Sequence, residues 1–163
     1  METQRRRERR GAEDLNLLTQ AVIGAAVEVH RELGPGLLES VYEVCLEHEL
    51  IMRGVAVQRQ VRLPLVYRGL ELEVGYRIDL FVADEVVVEV KAVEKLQPIH
   101  EAQLLTYLRL SDSRIGLLIN FNTPLLKWGL KRVVHRFPPP SPGSAPLRPL
   151  RLCVEDPLLS DLE

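Results

Sequence analysis

The sequence is poor in cysteine, in aromatic residues and in long apolar runs. Two cysteines among 163 residues are too few for a disulfide framework or a zinc cluster, which fits a reducing compartment. The single tryptophan cannot by itself form a base-stacking platform. No apolar run approaches the roughly 18 residues of a membrane span. The charged N-terminus is followed by no apolar core, so we expect no secretory signal and a cytoplasmic location.

Net charge is small as well. A value of −2 and a pI of about 6.1 give no indication of nucleic-acid binding, although a local basic groove can coexist with acidic residues. Hydrophobic residues make up 46% of the chain, which suffices for one domain with a core. Five arginines without apolar periodicity predict a disordered basic arm over residues 1–13. Seven of the eleven prolines follow Phe137, so residues 14–136 form the predicted domain and 137–163 a flexible proline-rich tail.

Apolar periodicity predicts the elements of this domain. Helices are expected over residues 15–33, 37–52 and 98–110, with strands over 55–67, 70–82, 86–92 and 114–121 and a short closing element over 125–135. On the second helix, the expected apolar side comprises Leu38, Val41, Cys45 and Met52. Pro64 predicts an edge position or a bulge in the first strand. The helix before the strand 114–121 has the form of a crossover, so the pattern favours an α/β fold.

Residues 76–96 contain two apolar runs separated by a polar break at Asp84 and Glu85. Because side chains alternate along a strand, one face is wholly apolar and the other carries the polar residues. The apolar face comprises Ile78, Leu80, Val82, Val86, Val88, Val90 and Ala92, and the other face comprises Arg77, Asp79, Phe81, Val87, Glu89 and Lys91. The apolar sets of a hairpin coincide only if the turn has an odd number of residues. That register places Val82 opposite Val86 and Asp79 opposite Glu89.

This register brings two carboxylates and an ammonium group together on one side of the hairpin. Neighbouring carboxylates repel unless a cation lies between them. Mg²⁺, which prefers oxygen ligands and keeps waters for phosphate oxygens, is the plausible cation, with Mn²⁺ as an alternative. Such a metal ion polarises a phosphodiester, and Lys91 would orient the attacking water or stabilise charge on the phosphate. The ordinary alternative is a set of cross-strand salt bridges on a solvated face, because these residue types are common on surfaces.

Two motifs resemble known families. The pattern ID(x)₉EVK, with Asp79, Glu89 and Lys91, resembles the active-site signature of the PD-(D/E)XK nuclease superfamily, with Ile78 in place of the proline. The segment GLLESVY resembles the motif for which the GxxExxY protein family is named. The likeness to that family extends over residues 17–134, through the segments KAVEKL, HEAQLLTYL and GLLINFN.

The resemblance implies a restriction-endonuclease-like core, in which a mixed sheet of about four to five strands is flanked by helices. It also implies roles for particular residues. Asp79, Glu89 and Lys91 would be catalytic, and the metal ligands would be Glu39, Asp79, Glu89 and the carbonyl of Val90. Tyr42, Gln103 and Tyr107 would contact substrate or support the site, since Gln103 and Tyr107 share a helix face and resemble the QxxxY element of exonuclease-like members.

Several of these roles have plain structural alternatives. Glu39 is also consistent with an exposed helix glutamate, and Glu28 is a weaker competing acid. Tyr42 is expected to pack beside the site rather than to react, and Tyr107 with Gln103 is also consistent with a core tyrosine beside a surface glutamine.

The resemblance implies a divalent-metal-dependent nuclease acting on DNA, with RNA as a further possible substrate. A catalytically inactive nucleic-acid- or protein-binding module, or an accessory subunit of a DNA-processing complex, is the alternative. Nucleic acid is therefore the expected partner, and a protein partner or a homodimer is a further possibility.

Overall fold

The computed structural model describes residues 2–135, except for the side chains of residues 2–10, 73 and 74. The predicted proline-rich tail lies outside the described residues. The helices are α1 Glu2–Leu33, α2 Glu39–Met52 and α3 Pro98–Leu110. The strands are β1 Val57–Tyr67, β2 Leu70–Val82, β3 Val86–Lys91, β4 Ile115–Asn120 and β5 Leu130–Val134. A 3₁₀ turn, Leu126–Trp128, precedes β5.

The strands form one five-stranded mixed sheet in the order β1-β2-β3-β4-β5. β3 and β4 are parallel and are connected through α3, whereas the other neighbouring strands are antiparallel. A parallel pair needs such a crossover because the chain must return to the starting edge of the sheet. The prediction of an α/β fold with a helix-flanked mixed sheet is confirmed.

Helices cover both faces of this sheet. Val88 of β3 packs in a core cluster with Leu46 of α2, and residues of α1 belong to the same cluster. The adjacent residue, Val87, packs on the opposite face with Leu104 of α3. β4 is buried along its whole length because it is covered from both sides. The ends of β2 and β3 thus lie between α2 and α3.

The hairpin of β2 and β3 has the predicted register. Val82 pairs with Val86, and three residues form the turn. Two of them, Ala83 and Asp84, have positive φ angles of 51° and 56°, and Asp84 is of a type that tolerates this region. The odd turn length keeps the apolar residues of both strands on one face.

One residue of β2 departs from the predicted face. Ile78 packs in the cluster that contains Leu104 of α3, rather than with Leu80. The change lies beside Gln60 of β1, which has a φ of 59° and stands between the residues that pair with Leu80 and Ile78. Where the pleat is interrupted, counting residues no longer assigns the face.

The first helix begins at Glu2 rather than near residue 15. Residues 2–13 are therefore helical, where the sequence predicted a disordered arm. Arginine and glutamate are good helix formers, so this segment can extend a helix without apolar periodicity. The missing periodicity showed only that the segment has no apolar side to bury.

The second helix buries a different side from the one predicted. The buried side comprises Tyr42, Leu46 and Leu50. On the predicted side, Cys45 is partly buried, whereas Leu38 and Met52 are each 73% exposed and Val41 is also exposed. Because α2 has apolar residues on both sides, its periodicity identifies a helix but not the side that faces the sheet.

β1 is an edge strand, as the proline within it predicted. Its register with β2 shifts between Leu63 and Leu65, at Pro64. Proline has no N–H to donate to a ladder, which confines it to edges and bulges.

Candidate active site

The ladder between β2 and β3 ends just before the two predicted acids. Its last pair on this side is Leu80 with Val88, so Asp79 and Glu89 are not paired in the ladder, contrary to the predicted pairing. The side chain of Asp79 instead accepts the N–H of Val90 at 2.9 Å from Oδ2. A carboxylate that accepts a backbone N–H is fixed in orientation.

Glu89 is the most deeply buried acid of this region, with 2% of its surface exposed. Its Oε1 accepts a hydrogen bond of 2.6 Å from Nζ of Lys91, whose side chain is 13% exposed. Its Oε2 is buried and has no hydrogen-bond partner among the described residues. A buried carboxylate oxygen without a partner is costly, so this atom is available to a ligand.

A pocket of about 620 Å³ opens at the ends of β2 and β3. Its lining residues are Arg62, Gly75, Tyr76, Arg77, Asp79, Glu89, Lys91, Gln103 and Tyr107. Five of the predicted site residues therefore meet here: Asp79, Glu89, Lys91, Gln103 and Tyr107. The last two come from α3, where Nε2 of Gln103 donates to the hydroxyl of Tyr107 at 2.6 Å. The ring of Tyr107 also packs edge-on against Tyr76 at 5.8 Å between centroids.

Burial is the main cause that perturbs the pKa values of both acids of the pocket, and the charges of neighbouring acids add to it. Burial, together with the charge of Asp79, raises the pKa of Glu89 to about 7. Burial also raises the pKa of Asp79, although the Val90 N–H and the Lys91 charge oppose that shift. Perturbed carboxylates that share a cleft are typical of functional sites.

The pKa values of two further pocket residues, Lys91 and Tyr107, are shifted by these acids. Burial lowers the pKa of Lys91, but the hydrogen bond and charge of Glu89 outweigh that effect, so the pKa is raised overall and the group stays an ammonium. Burial and the charge of Glu89 raise the pKa of Tyr107, which keeps its hydroxyl protonated. Lys91 and Tyr107 are thus proton-bearing donors beside the two carboxylates of the pocket.

Glu39 lies next to this pocket but does not line it. It is in the first turn of α2, and its Oε1 accepts the N–H of Ala92 at 3.0 Å, immediately after β3. Its charge acts on all three central groups, since it raises the pKa of Asp79, Glu89 and Lys91. The structure therefore places Glu39 within electrostatic reach of the site while its carboxylate holds the chain that leaves β3.

Tyr42 lies in the core rather than in the pocket. Its side chain is fully buried, and its ring stacks on Phe121 at 4.4 Å. Its hydroxyl donates to the carbonyl of Gly34 at 2.6 Å and accepts the N–H of Leu37 at 3.1 Å. These contacts close the turn between α1 and α2, so Tyr42 positions the start of α2 and does not reach the pocket lining.

Sequence reasoning missed a second helical acid, Glu43. It is 7% exposed, and its Oε2 accepts a 2.5 Å hydrogen bond from Nε2 of Gln60, which lies 3.5 Å from Oδ1 of Asp79. Burial and the charge of Asp79 raise the pKa of Glu43. Its spacing of four residues from Glu39 could have indicated a shared helix face. Nothing local in the sequence indicated Gln60, because its contact spans β1 and β2.

Two further residues, Glu28 and Trp128, do not line the pocket. Glu28, the weaker competing acid, forms an ion pair with Arg31 on the surface of α1. Trp128, in the turn before β5, is 65% exposed.

A divalent metal ion would fit the pocket through two of its acids. Among the side chains that the structure describes, no three from His, Cys, Asp or Glu form a ready-made ligand cluster. The donor chemistry is nevertheless suitable, because Oε2 of Glu89 has no partner and the charges of Asp79 and Glu89 repel each other. A cation between the two carboxylates would satisfy the free oxygen and remove the repulsion.

Comparison with known proteins gives one match. A family model described as the PD-(D/E)XK nuclease superfamily matches residues 16–133, a range that contains every pocket residue. No curated protein and no solved structure matches the chain. None of the helices within residues 2–135 has the length and apolar character needed to cross a membrane.

Proposed function

This chain belongs to the PD-(D/E)XK nuclease superfamily, and from that membership we propose that it is a divalent-metal-dependent nuclease that hydrolyses phosphodiester bonds in DNA, with RNA as the other candidate substrate. The observation that carries the proposal is the convergence of Asp79, Glu89 and Lys91 in one pocket. Members of this superfamily generally use divalent metal ions. Within the superfamily, the segment Gly36–Tyr42 supports assignment to the GxxExxY family.

We assign the metal-holding role to Asp79 and Glu89, with the carbonyl of Val90 as a further oxygen ligand and Glu39 as the helical acid. Mg²⁺ or Mn²⁺ held there would polarise the phosphodiester and lower the pKa of a bound water. The Val90 N–H fixes the orientation of the Asp79 carboxylate, so that one oxygen is already directed before a ligand binds. The unpartnered Oε2 of Glu89 is the second fixed oxygen.

Lys91 and Tyr107 would act on the phosphate. The ammonium of Lys91 is held by Glu89 at 2.6 Å and is charged at neutral pH, so it stabilises negative charge that develops on the phosphate oxygens. The hydroxyl of Tyr107 accepts from Gln103, which leaves its own proton free to donate to a substrate oxygen. Both groups are pre-oriented by neighbours, which lowers the cost of ordering them during the reaction.

The test is cleavage of labelled single-stranded and double-stranded DNA and RNA in the presence of Mg²⁺ or Mn²⁺, with EDTA as the metal-free control. We expect the wild-type protein to cut at least one substrate and Lys91→Ala to lose most of this activity. Lys95→Ala is the matched control, since Lys95 is exposed and outside the pocket.

Equal cleavage by wild type and Lys91→Ala on every substrate would contradict the proposal that Lys91 is catalytic. Nucleic-acid binding without metal uptake or cleavage would instead indicate the alternative, a binding module or accessory subunit. Calorimetric titration with Mg²⁺ separates these outcomes, because a binding module does not need a metal ion at Asp79 and Glu89.

A further inference from the structure

Two arginines face each other across the β1–β2 ladder at the edge of the pocket. Arg62 and Arg77 are direct partners in the antiparallel register, and both are exposed. Side chains of directly opposed residues lie on the same face with Cβ atoms about 4.5–5.5 Å apart. Both arginines line the pocket that contains Asp79 and Glu89.

This arrangement gives the fold little stabilisation, since it adds only the charge of Arg77 acting at a distance on the carboxylate of Glu43. Like charges placed directly opposite each other on a sheet are destabilising. Among the residues whose side chains the structure describes, none forms a hydrogen bond or an ion pair with either guanidinium. The carboxylate closest to them in the register is that of Asp79, and it accepts the N–H of Val90 instead. By contrast, the neighbouring Arg59 is paired with Glu47 at 2.9 Å.

The position of the pair relative to the acids suggests its ligand. Arg77 precedes Asp79 by two residues on β2, so their Cα atoms are at most about 7 Å apart, and both side chains line the same pocket. That span is comparable to the distance between neighbouring phosphates of one nucleic-acid strand. A guanidinium group donates two parallel hydrogen bonds to a phosphate, and two such groups side by side neutralise its charge.

We propose that Arg62 and Arg77 form a subsite for the phosphodiester next to the one that is cleaved. This inference rests on the proposed nuclease function and adds to it how the substrate strand is held. The strand would run along β2, with one phosphate at Asp79 and Glu89 and its neighbour between the two arginines. The repulsion between Arg62 and Arg77 is then relieved when the substrate binds.

The experiment measures binding in the Lys91→Ala background, in which cleavage is suppressed. Fluorescence anisotropy with short labelled oligonucleotides is recorded over a series of salt concentrations, with single-stranded DNA, double-stranded DNA and single-stranded RNA as separate probes. Adding Arg62→Ala and Arg77→Ala together is expected to weaken binding about tenfold at low salt. It should also reduce the slope of log affinity against log salt by about 0.7–0.9, since the two arginines together neutralise one phosphate.

Two controls separate a subsite from a general charge effect. Arg68→Ala removes one positive charge from the tip of the same hairpin, where Arg68 lies over the ring of Tyr67, and should change neither affinity nor slope by comparable amounts. Arg62→Lys with Arg77→Lys retains the charge but not the paired hydrogen bonds, and should restore the slope more fully than the affinity. Thermal unfolding should show little loss of stability in the alanine variants, because neither guanidinium is hydrogen-bonded or ion-paired to a described side chain.

The outcomes for the subsite and for the nuclease are distinct. If wild type cleaves but the double alanine variant binds like Arg68→Ala, the proposed subsite is wrong and the proposed nuclease function is retained. If no substrate is cleaved but binding depends on the arginine pair, the proposed nuclease function is wrong and phosphate binding by the pair is retained. A loss of folding in both single alanine variants would also overturn the subsite, because it would give the pair a structural role.

Discussion

The Asp79 carboxylate accepts the N–H of Val90 at 2.9 Å, just beyond the last paired residues of β2 and β3. One side chain therefore satisfies a backbone group of β3 while its position in the pocket suits metal binding. The two roles can be separated, because an amide oxygen can replace the acceptor but not the charge.

Asp79→Asn is expected to retain the hydrogen bond and to relieve repulsion with Glu89, so its free energy of unfolding should equal or exceed that of wild type. Asp79→Ala leaves the Val90 N–H without an acceptor and should be about 1–3 kcal/mol less stable than Asp79→Asn. Both variants should lose cleavage activity. Urea unfolding and the cleavage assay measure the two effects, and an active Asp79→Asn variant would refute the metal-ligand assignment.

Lys91→Ala should change the titration of Glu89 as well as the rate. The hydrogen bond and charge of Lys91 lower the pKa of Glu89, so without them this pKa should rise above its value of about 7. Loss of a donor to the phosphate should reduce cleavage about hundredfold or more. Carbon-detected NMR of labelled glutamate in metal-free protein reports the pKa. An unchanged pKa would mean that the ion pair does not form in solution.

The stability of the metal-free protein should decrease as pH rises from about 4.5 to about 7. The pKa of Glu89 is raised from an ordinary value of 4.5 to about 7, so in this window the folded state holds a proton that the unfolded state has released. The effect is on the order of 3 kcal/mol at most, from about 1.4 kcal/mol per pKa unit. Urea unfolding in EDTA at several pH values measures it.

Glu89→Gln should flatten this pH dependence without abolishing it, since the pKa values of Asp79 and Glu43 are also raised. In the wild-type protein, added Mg²⁺ should restore the stability that is lost at neutral pH, because ligands that bind only the folded state stabilise it. A wild-type profile that rises over this range would contradict the burial of a repelled carboxylate at position 89.

Tyr42→Phe should affect stability and not catalysis. The variant loses the hydroxyl contacts with Gly34 and Leu37 but keeps the ring stacked on Phe121, so a loss of about 1–3 kcal/mol is expected. Activity per folded molecule should match wild type. Tyr67→Phe is the exposed control. A specific loss of kcat in folded Tyr42→Phe would show that Tyr42 has a role in the active site.

Glu39 and Glu43 can be ranked as the helical acid by their glutamine variants. Glu39→Gln keeps an oxygen for the Ala92 N–H but loses the charge that acts on Asp79 and Glu89, and should weaken Mn²⁺ binding about tenfold or more. Glu43→Gln should have a smaller effect, since Glu43 reaches Asp79 through Gln60. Calorimetry on both variants gives the order, and the reverse order would identify Glu43 as the metal-linked acid.

Alternation and spacing alone predicted the hairpin and the polar face that carries the acids. Alternation along a strand has a period of two, so burying one apolar face left only an odd turn and the pairing of Val82 with Val86. The order and type of the elements followed from periodicity in the same way. Asp79, Glu89 and Lys91 could be brought together because they are separated by only a few residues on either side of one turn.

Other features of the fold and the site depend on contacts between distant segments, which local patterns do not predict. α2 has apolar residues on both sides, and only packing against the sheet selected Tyr42 and Leu46 for the inside. The contact between Glu43 and Gln60 joins a helix to an edge strand, and the opposition of Arg62 and Arg77 depends on how β1 pairs with β2. Local periodicity assigns a residue to a face of its own element, whereas the neighbour it meets across space is set by how the elements pack.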